Sequence, residues 1–195
     1  VGQVAYNQLI SSPDRTMAEV KRLMGSDTMI SLDDEKYLPH ELSSLILKEL
    51  KKYAEDYLGE EVVEAVITVP ANFNNSQRKV TKMAGEMAGL KVERIINEPT
   101  AAAMAYGLNN YDKEEKILVY DLGGGTFDVS ILEMFEGILD VKSSRGNDRL
   151  GGKDFDSRIE KYIEKEFEKT YNQNLYKGLD VKNKLSIKLR VKEAA

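Results

Sequence analysis

Three consecutive glycines between two aspartates are the residues of this 195-residue chain best suited to chemistry. Asp121 follows the apolar run 117–120, the glycines occupy 123–125, and Asp128 lies in a second run that alternates apolar and polar residues. Alternation on both sides indicates strand, turn and strand. Glycines can adopt positive φ and have no Cβ, so the N–H groups of such a turn can close around an anion. The aspartates would offer Mg²⁺ the hard oxygen ligands it prefers, directly or through water.

Two common phosphate-binding motifs do not fit this segment. A Walker A loop needs a Gly-Lys-Ser/Thr sequence that opens a helix, and no lysine follows these glycines. The dinucleotide-binding fingerprint also runs from a strand into a helix, whereas these glycines lead into a second strand. An ordinary tight hairpin without a ligand is the alternative that the glycines alone leave open.

The composition excludes several classes of function. Lysine and arginine number 28 against 33 acids, and no basic block is present, so we expect no nucleic-acid partner. The chain has no cysteine, which excludes disulfides and thiolate zinc sites and favours a cytoplasmic location. No apolar run has membrane-spanning length, so we expect no membrane partner. The only histidine, His40, follows Pro39 at a predicted helix start, where a solvated residue is favoured over a catalytic base.

The other segments alternate between predicted strands and helices. A strand at 62–69 ends at Pro70, and a helix at 76–88 connects it to a strand at 92–96. Further strands are predicted at 117–121, 126–134 and 138–144, and further helices at 16–25, 40–58, 100–108, 155–171 and, weakly, within 172–195. This order predicts an α/β protein with mixed sheets flanked by helices.

A phosphate turn inside a hairpin predicts an architecture of two lobes, each containing an antiparallel meander, that close on a nucleotide. The Lys- and Glu-rich segment 109–115 is the expected boundary between the lobes. Residues 26–39 are expected to form a loop or a poor hairpin. Apolar residues recur every three or four positions in 40–58 and 155–171, so we expect each helix to bury one face.

Four ordered segments resemble the nucleotide-binding domain of 70-kDa heat-shock chaperones, the Hsp70 or DnaK family. They are EAVITVPANFNNSQR (64–78), GLKVERIINEPTAAAMAYGL (89–108), YDLGGGTFDVSILE (120–133) and LGGKDFDSRI (150–159). The segments VGQVAYNQ (1–8) and MAEVKRLMG (17–25) are also similar to that domain. The resemblance implies the actin-like ATPase fold of the ribonuclease H-like type, ATP or ADP with Mg²⁺ as ligands, and a chaperone function.

The resemblance also implies roles for individual residues around the glycine turn. Gly124, Gly125 and Thr126 would hold the β- and γ-phosphates, and Gly123 would shape the turn. Asp121 would organise magnesium through its water ligands. Asp128 and Glu98 would order the attacking water, and either is a candidate proton acceptor. For each acid, the alternative is a carboxylate that only caps a helix or ends a strand.

Pro70 and Arg78 match the family's pair that relays the nucleotide state to a peptide-binding domain. The alternatives are a strand terminator for Pro70 and a solvated helix residue for Arg78. Partners implied by the resemblance are a J-domain co-chaperone, a nucleotide-exchange factor and unfolded peptide clients, which would bind through a domain outside these residues.

Several residues depart from the family pattern. Tyr6 occupies the position of a phosphate-contacting lysine, a loss of the kind that typically costs about 10²–10³ in rate. Asn72 replaces an aromatic residue, Arg149 a histidine and Lys153 an acid. Segment 25–39 is short, which implies a trimmed outer subdomain. These departures predict a divergent member with impaired hydrolysis and altered co-chaperones.

By the same resemblance, residues 1–115 would be part of the first lobe and 116–195 the start of the second. The first phosphate loop would precede Val1, and the adenine contacts would follow Ala195, so we expect these residues alone to bind ATP weakly or not at all. Three alternatives stay open: a nucleotide-sensing pseudo-ATPase, an actin-like filament protein, and a sugar or acetate kinase of the same superfamily.

Overall fold

The computed structural model describes residues 1–9, 11–107 and 114–194. The helices are α1 (Gln3–Asn7), α2 (Pro39–Leu58), α3 (Asn75–Met87), α4 (Glu98–Gly107), α5 (Gly152–Tyr171) and α6 (Val181–Ala194), with 3₁₀ turns at Pro13–Arg15 and Val20–Leu23. The strands are β1 (Ile30–Leu32), β2 (Glu35–Tyr37), β3 (Glu64–Val69), β4 (Lys91–Asn97), β5 (Glu115–Leu122), β6 (Phe127–Phe135) and β7 (Ile138–Asn147). The predicted α/β class is confirmed. No helix in the described ranges is long and apolar enough to cross a membrane.

The strands form three small sheets within the described residues. β1 and β2 form an antiparallel hairpin, β3 and β4 pair in parallel, and β5, β6 and β7 form the predicted antiparallel meander. Parallel and antiparallel pairing therefore lie in separate sheets. α3 supplies the crossover that a parallel pair requires.

The predicted helix at 16–25 is wrong over most of its length. Only the 3₁₀ turn Val20–Leu23 forms, because Glu19 has φ 63°, which a right-handed helix cannot accommodate. Residues 26–39 contain the β1–β2 hairpin, with Asp33 at φ 53° in its turn. Most of the expected lobe boundary, 109–113, lies outside the described residues.

Close packing of α3 against the parallel pair depends on Gly85. A Cβ at this position would lie 2.5 Å from Cγ2 of Val92 and 2.6 Å from Cδ1 of Ile67. The helix thus approaches β3 and β4 more closely than any larger residue would allow. The pair ends with Val69 opposite Asn97, so the residues that follow each strand emerge at one edge of the sheet.

α4 covers one face of the meander with small side chains. Ala103 of α4 is 1% exposed, and Leu132 and Met134 beneath it on β6 are 0% and 2% exposed. This packing brings Glu98, at the start of α4, to the side of the sheet on which Asp128 lies. The alanine-rich sequence of the helix allows that close approach.

Other apolar surfaces have no cover among the described residues. The accessible surface is 13,074 Å², whereas a folded monomer of this mass exposes about 9,300 Å². The expectation that α5 buries one face is wrong: none of its residues is buried, and Tyr162 is 64% exposed. On α2 only Pro39, Leu42 and Ser44 are buried.

Candidate functional site

The glycine turn connects β5 to β6 and is closed by its own backbone. Gly123 donates its N–H to the carbonyl of Thr126 at 3.0 Å, directly beyond the last strand pair, Leu122 with Phe127. Asp121 and Asp128 are paired opposite each other one step further along the ladder. The two aspartates of the motif are therefore neighbours across the hairpin.

The first turn of α5 packs against one side of the glycine turn. Gly152 and Lys153 donate their N–H groups to the carbonyls of Gly123 and Gly124 at 3.0 and 3.1 Å. The carbonyl and the following N–H of a trans peptide point in opposite directions. The N–H groups of Gly124 and Gly125 are therefore directed away from these α5 amides.

These two amides are available to a ligand. Neither donates a hydrogen bond to another residue in the described ranges, and Gly124 is exposed. The N–H groups at the start of α5, in contrast, are already used by the turn and by Gly151. The backbone donors left open to a ligand at this place are therefore those of the glycine turn and not those of the helix.

A cavity of about 400 Å³ lies beside the turn. Its lining consists of Asp121, Gly123, Gly124, Gly125, Thr126, Glu98, Glu19, Lys21, Arg22, Lys153, Asp156 and Lys192. The four cations and four acids in this set cancel in formal charge. An anion would therefore be held by directed donors and not by a net positive field.

A larger cavity, of about 600 Å³, lies between α2, α3 and β3. Its walls are mainly aliphatic, with few polar groups to orient a ligand. Phosphate chemistry requires directed donors, so the smaller polar cavity is the candidate site.

Asp128 lies behind the turn, outside the cavity lining, and is 2% exposed. Burial raises the pKa of Asp128 above its usual range, and the negative charges of Glu98 and Asp121 raise it further. The main-chain N–H groups of Ala71 and Asn72 lower it and so oppose this shift. Its Oδ1 is buried and has no hydrogen-bond partner among the described residues.

Gly146 of β7 leaves room for the Asp128 carboxyl group. A Cβ on this glycine would lie 2.6 Å from Oδ1 of Asp128 and 2.8 Å from Nδ2 of Asn72. Asn72 is therefore packed near the buried acid through its side chain as well as its backbone. This neighbourhood was not predicted from the sequence.

Glu98 begins α4 and lines the cavity. Its Oε1 accepts a hydrogen bond from Nζ of Lys21 at 2.7 Å, and its side chain is 19% exposed. Glu98 is thus held by a partner from the 3₁₀ turn Val20–Leu23. A simple helix-capping role does not describe this contact.

The acids fit a metal that arrives with a phosphate ligand better than a metal held by protein alone. No group of three acid, histidine or cysteine side chains in the described ranges could hold a metal ion. The unpartnered Oδ1 of Asp128 and the nearby Asp121 nevertheless offer hard acceptors. Such a set suits Mg²⁺, which keeps several waters and binds through one or two carboxylates and substrate phosphates.

Pro70 and Arg78 do not line the cavity. Pro70 is fully buried at the end of β3. Arg78 is half-buried on α3 and donates hydrogen bonds to the carbonyls of Phe73 and Ala71 at 2.9 and 3.1 Å, and to Oδ1 of Asn97 at 2.8 Å. The alternative of a solvated helix arginine is therefore wrong. Arg78 holds the loop after β3 against the end of β4.

Tyr6 does not reach the candidate site. It lies on α1, is 38% exposed, and lines a separate cavity of about 300 Å³ beside Leu42 and Leu45 of α2. The described residues thus place no group from position 6 beside the glycine turn.

Sequence reasoning missed the cations that do reach the cavity. Arg22 donates to Asp154 of α5 from Nη1 and Nη2 at 3.2 and 2.5 Å. Lys153, noted only as a departure from the family pattern, forms an ion pair with Glu19. The adjacent Lys21 and Arg22 are the available signal, but the sequence of 16–25 predicts an ordinary helix.

Comparison with known proteins shows relatives that match over the whole of this chain. A family model described as Hsp70 protein matches residues 26–195. The chain is 52% identical to the chaperone protein DnaK of Thermotoga petrophila and 53% identical to that of Thermosipho melanesiensis, in each case over all 195 residues. It spans 32% of the length of each of these relatives. The resemblance carried by the four motifs is confirmed.

Proposed function

This chain belongs to the Hsp70 family, and from that premise we propose that it is the phosphate-binding part of a chaperone ATPase domain. The glycine turn would bind the β- and γ-phosphates of ATP or ADP. The observation that carries the proposal is the pair of unpartnered N–H groups at Gly124 and Gly125, directed away from α5 beside a polar cavity. Preorganised amides of this kind stabilise charge on phosphoryl oxygens without reorganising.

The three acids would divide the remaining work. Mg²⁺ would neutralise charge on the phosphates, with Asp121 holding its water ligands. Glu98 or Asp128 would accept the proton of the attacking water. The raised pKa of Asp128 makes it a stronger base than an ordinary aspartate once it is ionised. Catalysis would then rest mainly on positioning and electrostatics, as in other phosphoryl transfers.

Asp128 also connects the turn to the proposed coupling residues. The N–H groups of Ala71 and Asn72 act on its carboxylate, and Arg78 binds the carbonyl of Ala71 in the same loop. A change in the charge of Asp128 would therefore alter its interaction with the N–H groups of the loop that begins at Pro70. This link supports a role for Pro70 and Arg78 in relaying the nucleotide state.

The wider functional setting follows from the family. We propose an actin-like ATPase fold divided into two lobes, with residues 1–115 in the first and 116–195 in the second. Nucleotide state would control peptide binding by a separate domain, in the cytoplasm. A J-domain co-chaperone and a nucleotide-exchange factor would be the partners.

The proposal is tested by binding of a series that differs only in phosphate number. Isothermal titration at low ionic strength would compare MgATP, MgADP and adenosine. We expect the affinity to rise with the number of phosphates. The Kd for MgATP should be about 1 mM or weaker, where 1 mM corresponds to a binding free energy of about −4 kcal/mol. Equal affinity for adenosine and MgATP, or an affinity that falls as phosphates are added, would overturn the proposal.

A second candidate is a nucleotide-sensing module that binds ATP without accelerating its hydrolysis. The position of Tyr6 in a separate cavity favours the hypothesis of a nucleotide sensor, because no cation from α1 reaches the glycine turn. Phosphate release from bound MgATP, measured under single-turnover conditions, separates the two. Release no faster than from free MgATP supports the sensor, and accelerated release excludes it.

A further inference from the structure

We propose that Arg22 is a phosphate-binding residue of this site, contributed by a segment far from the glycine turn in sequence. The inference rests on the proposed function and adds to it one specific phosphate-binding residue. Arg22 lines the cavity and contacts the turn directly. A Cβ on Gly125 would lie 3.2 Å from Nε and 4.0 Å from Nη2 of Arg22.

The hydrogen bonds of Arg22 leave one of its three nitrogens, Nε, without a partner among the described residues. Nη1 and Nη2 donate to the Asp154 carboxylate, whereas Nε is buried and has no partner in the described part of the chain. A buried charged donor without an acceptor is rare in native structures. An oxygen bound at the Gly125 amide would lie beside this N–H group and could accept from it.

The other cations of the cavity are paired with acids of the same lining. Lys21 pairs with Glu98 at 2.7 Å, and both Lys153 and Lys192 pair with Glu19. Arg22 differs from them because its carboxylate partner binds one edge of the guanidinium and leaves the Nε edge facing the glycines. It can therefore keep its ion pair while it binds a phosphate.

Asp154 would position Arg22 for this role. Its Oδ2 also accepts the N–H of Gly151 at 2.9 Å, so the carboxylate is fixed to the start of α5. That turn of helix is the one that binds the glycine carbonyls. The guanidinium and the glycine amides are thus held by one rigid element, with the fork geometry that suits phosphate oxygens.

The direct test follows the side-chain Nε–Hε signal of Arg22 in ¹H–¹⁵N NMR spectra of the unaltered chain as tripolyphosphate is added. The signal of Arg15 is the matched control, because that side chain pairs with Asp33 on the surface, away from the cavity. We expect the Arg22 signal and the Gly125 amide to shift together and to saturate, while Arg15 stays unchanged. No substitution is needed, so folding is not in question.

Substitution supplies the second measurement. Arg22→Met should weaken tripolyphosphate binding about tenfold or more, the effect of losing a hydrogen bond to a charged group. Arg22→Lys keeps the charge but not the forked guanidinium, so its affinity for tripolyphosphate should lie between those of Arg22→Met and the unaltered chain. Arg15→Met should bind tripolyphosphate as the unaltered chain does. If Gly125 shifts but Arg22 does not, and Arg22→Met binds normally, the inference is overturned while the proposed function stands. If neither signal shifts, both fall.

Discussion

Replacing Gly151 with alanine tests how the glycine turn is held. The new Cβ would lie 2.5 Å from the carbonyl carbon of Gly124 and from the nitrogen of Gly125, both backbone atoms. Ordinary contact requires about 1 Å more, so α5 would have to withdraw from the turn. The two hydrogen bonds from Gly152 and Lys153 would then lengthen or break. Overpacking and these losses together should cost about 2–5 kcal/mol of unfolding free energy.

Gly152→Ala is the matched control, one residue further along. Its Cβ would meet only the Cα of Gly124, at 3.8 Å, and should leave stability unchanged or slightly raised. Gly151 has φ −174°, which any residue adopts, so its penalty is steric alone. Urea denaturation and tripolyphosphate titration would be compared for both variants. Equal stability and equal affinity of the two would refute the account of the turn.

Three further substitutions test the surroundings of the site. Burial raises the pKa of Asp128, so its ionisation destabilises the folded chain as pH rises above 3.8. Urea denaturation should therefore show that Asp128→Asn gains unfolding free energy relative to the unaltered chain as pH rises above 3.8, until the raised pKa is passed. The pKa of Asp154 is lowered, chiefly by its hydrogen bonds from Arg22, so its ionisation stabilises. Asp154→Asn should show the opposite trend, with its deficit vanishing as pH falls below about 4. Arg78→Met removes three hydrogen bonds and should cost about 2–4 kcal/mol at every pH.

Each of these expectations has a clear contrary result. A deficit of Asp128→Asn that grows with pH would mean that the buried carboxylate is stabilised as an ion. If the loss of unfolding free energy in Asp154→Asn did not depend on pH, the ion pair between Asp154 and Arg22 would not stabilise the folded chain. An Arg78→Met variant as stable as the unaltered chain would show that Arg78 does not support the loop after β3.

The chemistry of the turn could be predicted because its signals are local. Period-two alternation on both sides of the glycines determines the hairpin, and the hairpin places Asp121 opposite Asp128. The strands β3 and β4 and the helix between them were predictable for the same reason, from two apolar runs separated by a helical pattern. Neither prediction needed contacts between distant segments.

The cationic side of the site could not be predicted because it depends on contacts across the whole chain. Arg22 and Asp154 are 132 residues apart, and neither residue type distinguishes an interior ion pair from a surface one. The positive φ of Glu19, which ends the predicted helix, has no sequence signal at a glutamate. Apolar periodicity likewise identified α5 but could not show that its apolar face would remain uncovered.

The central claim is that the N–H groups of Gly124 and Gly125 bind phosphate. Their backbone signals in ¹H–¹⁵N NMR spectra, followed during titration with MgATP and separately with adenosine, test it most directly. We expect saturable shifts of both signals with MgATP and none with adenosine. Gly137, in the distant β6–β7 turn, should be unaffected by either. Binding of MgATP that leaves Gly124 and Gly125 unchanged would contradict the account.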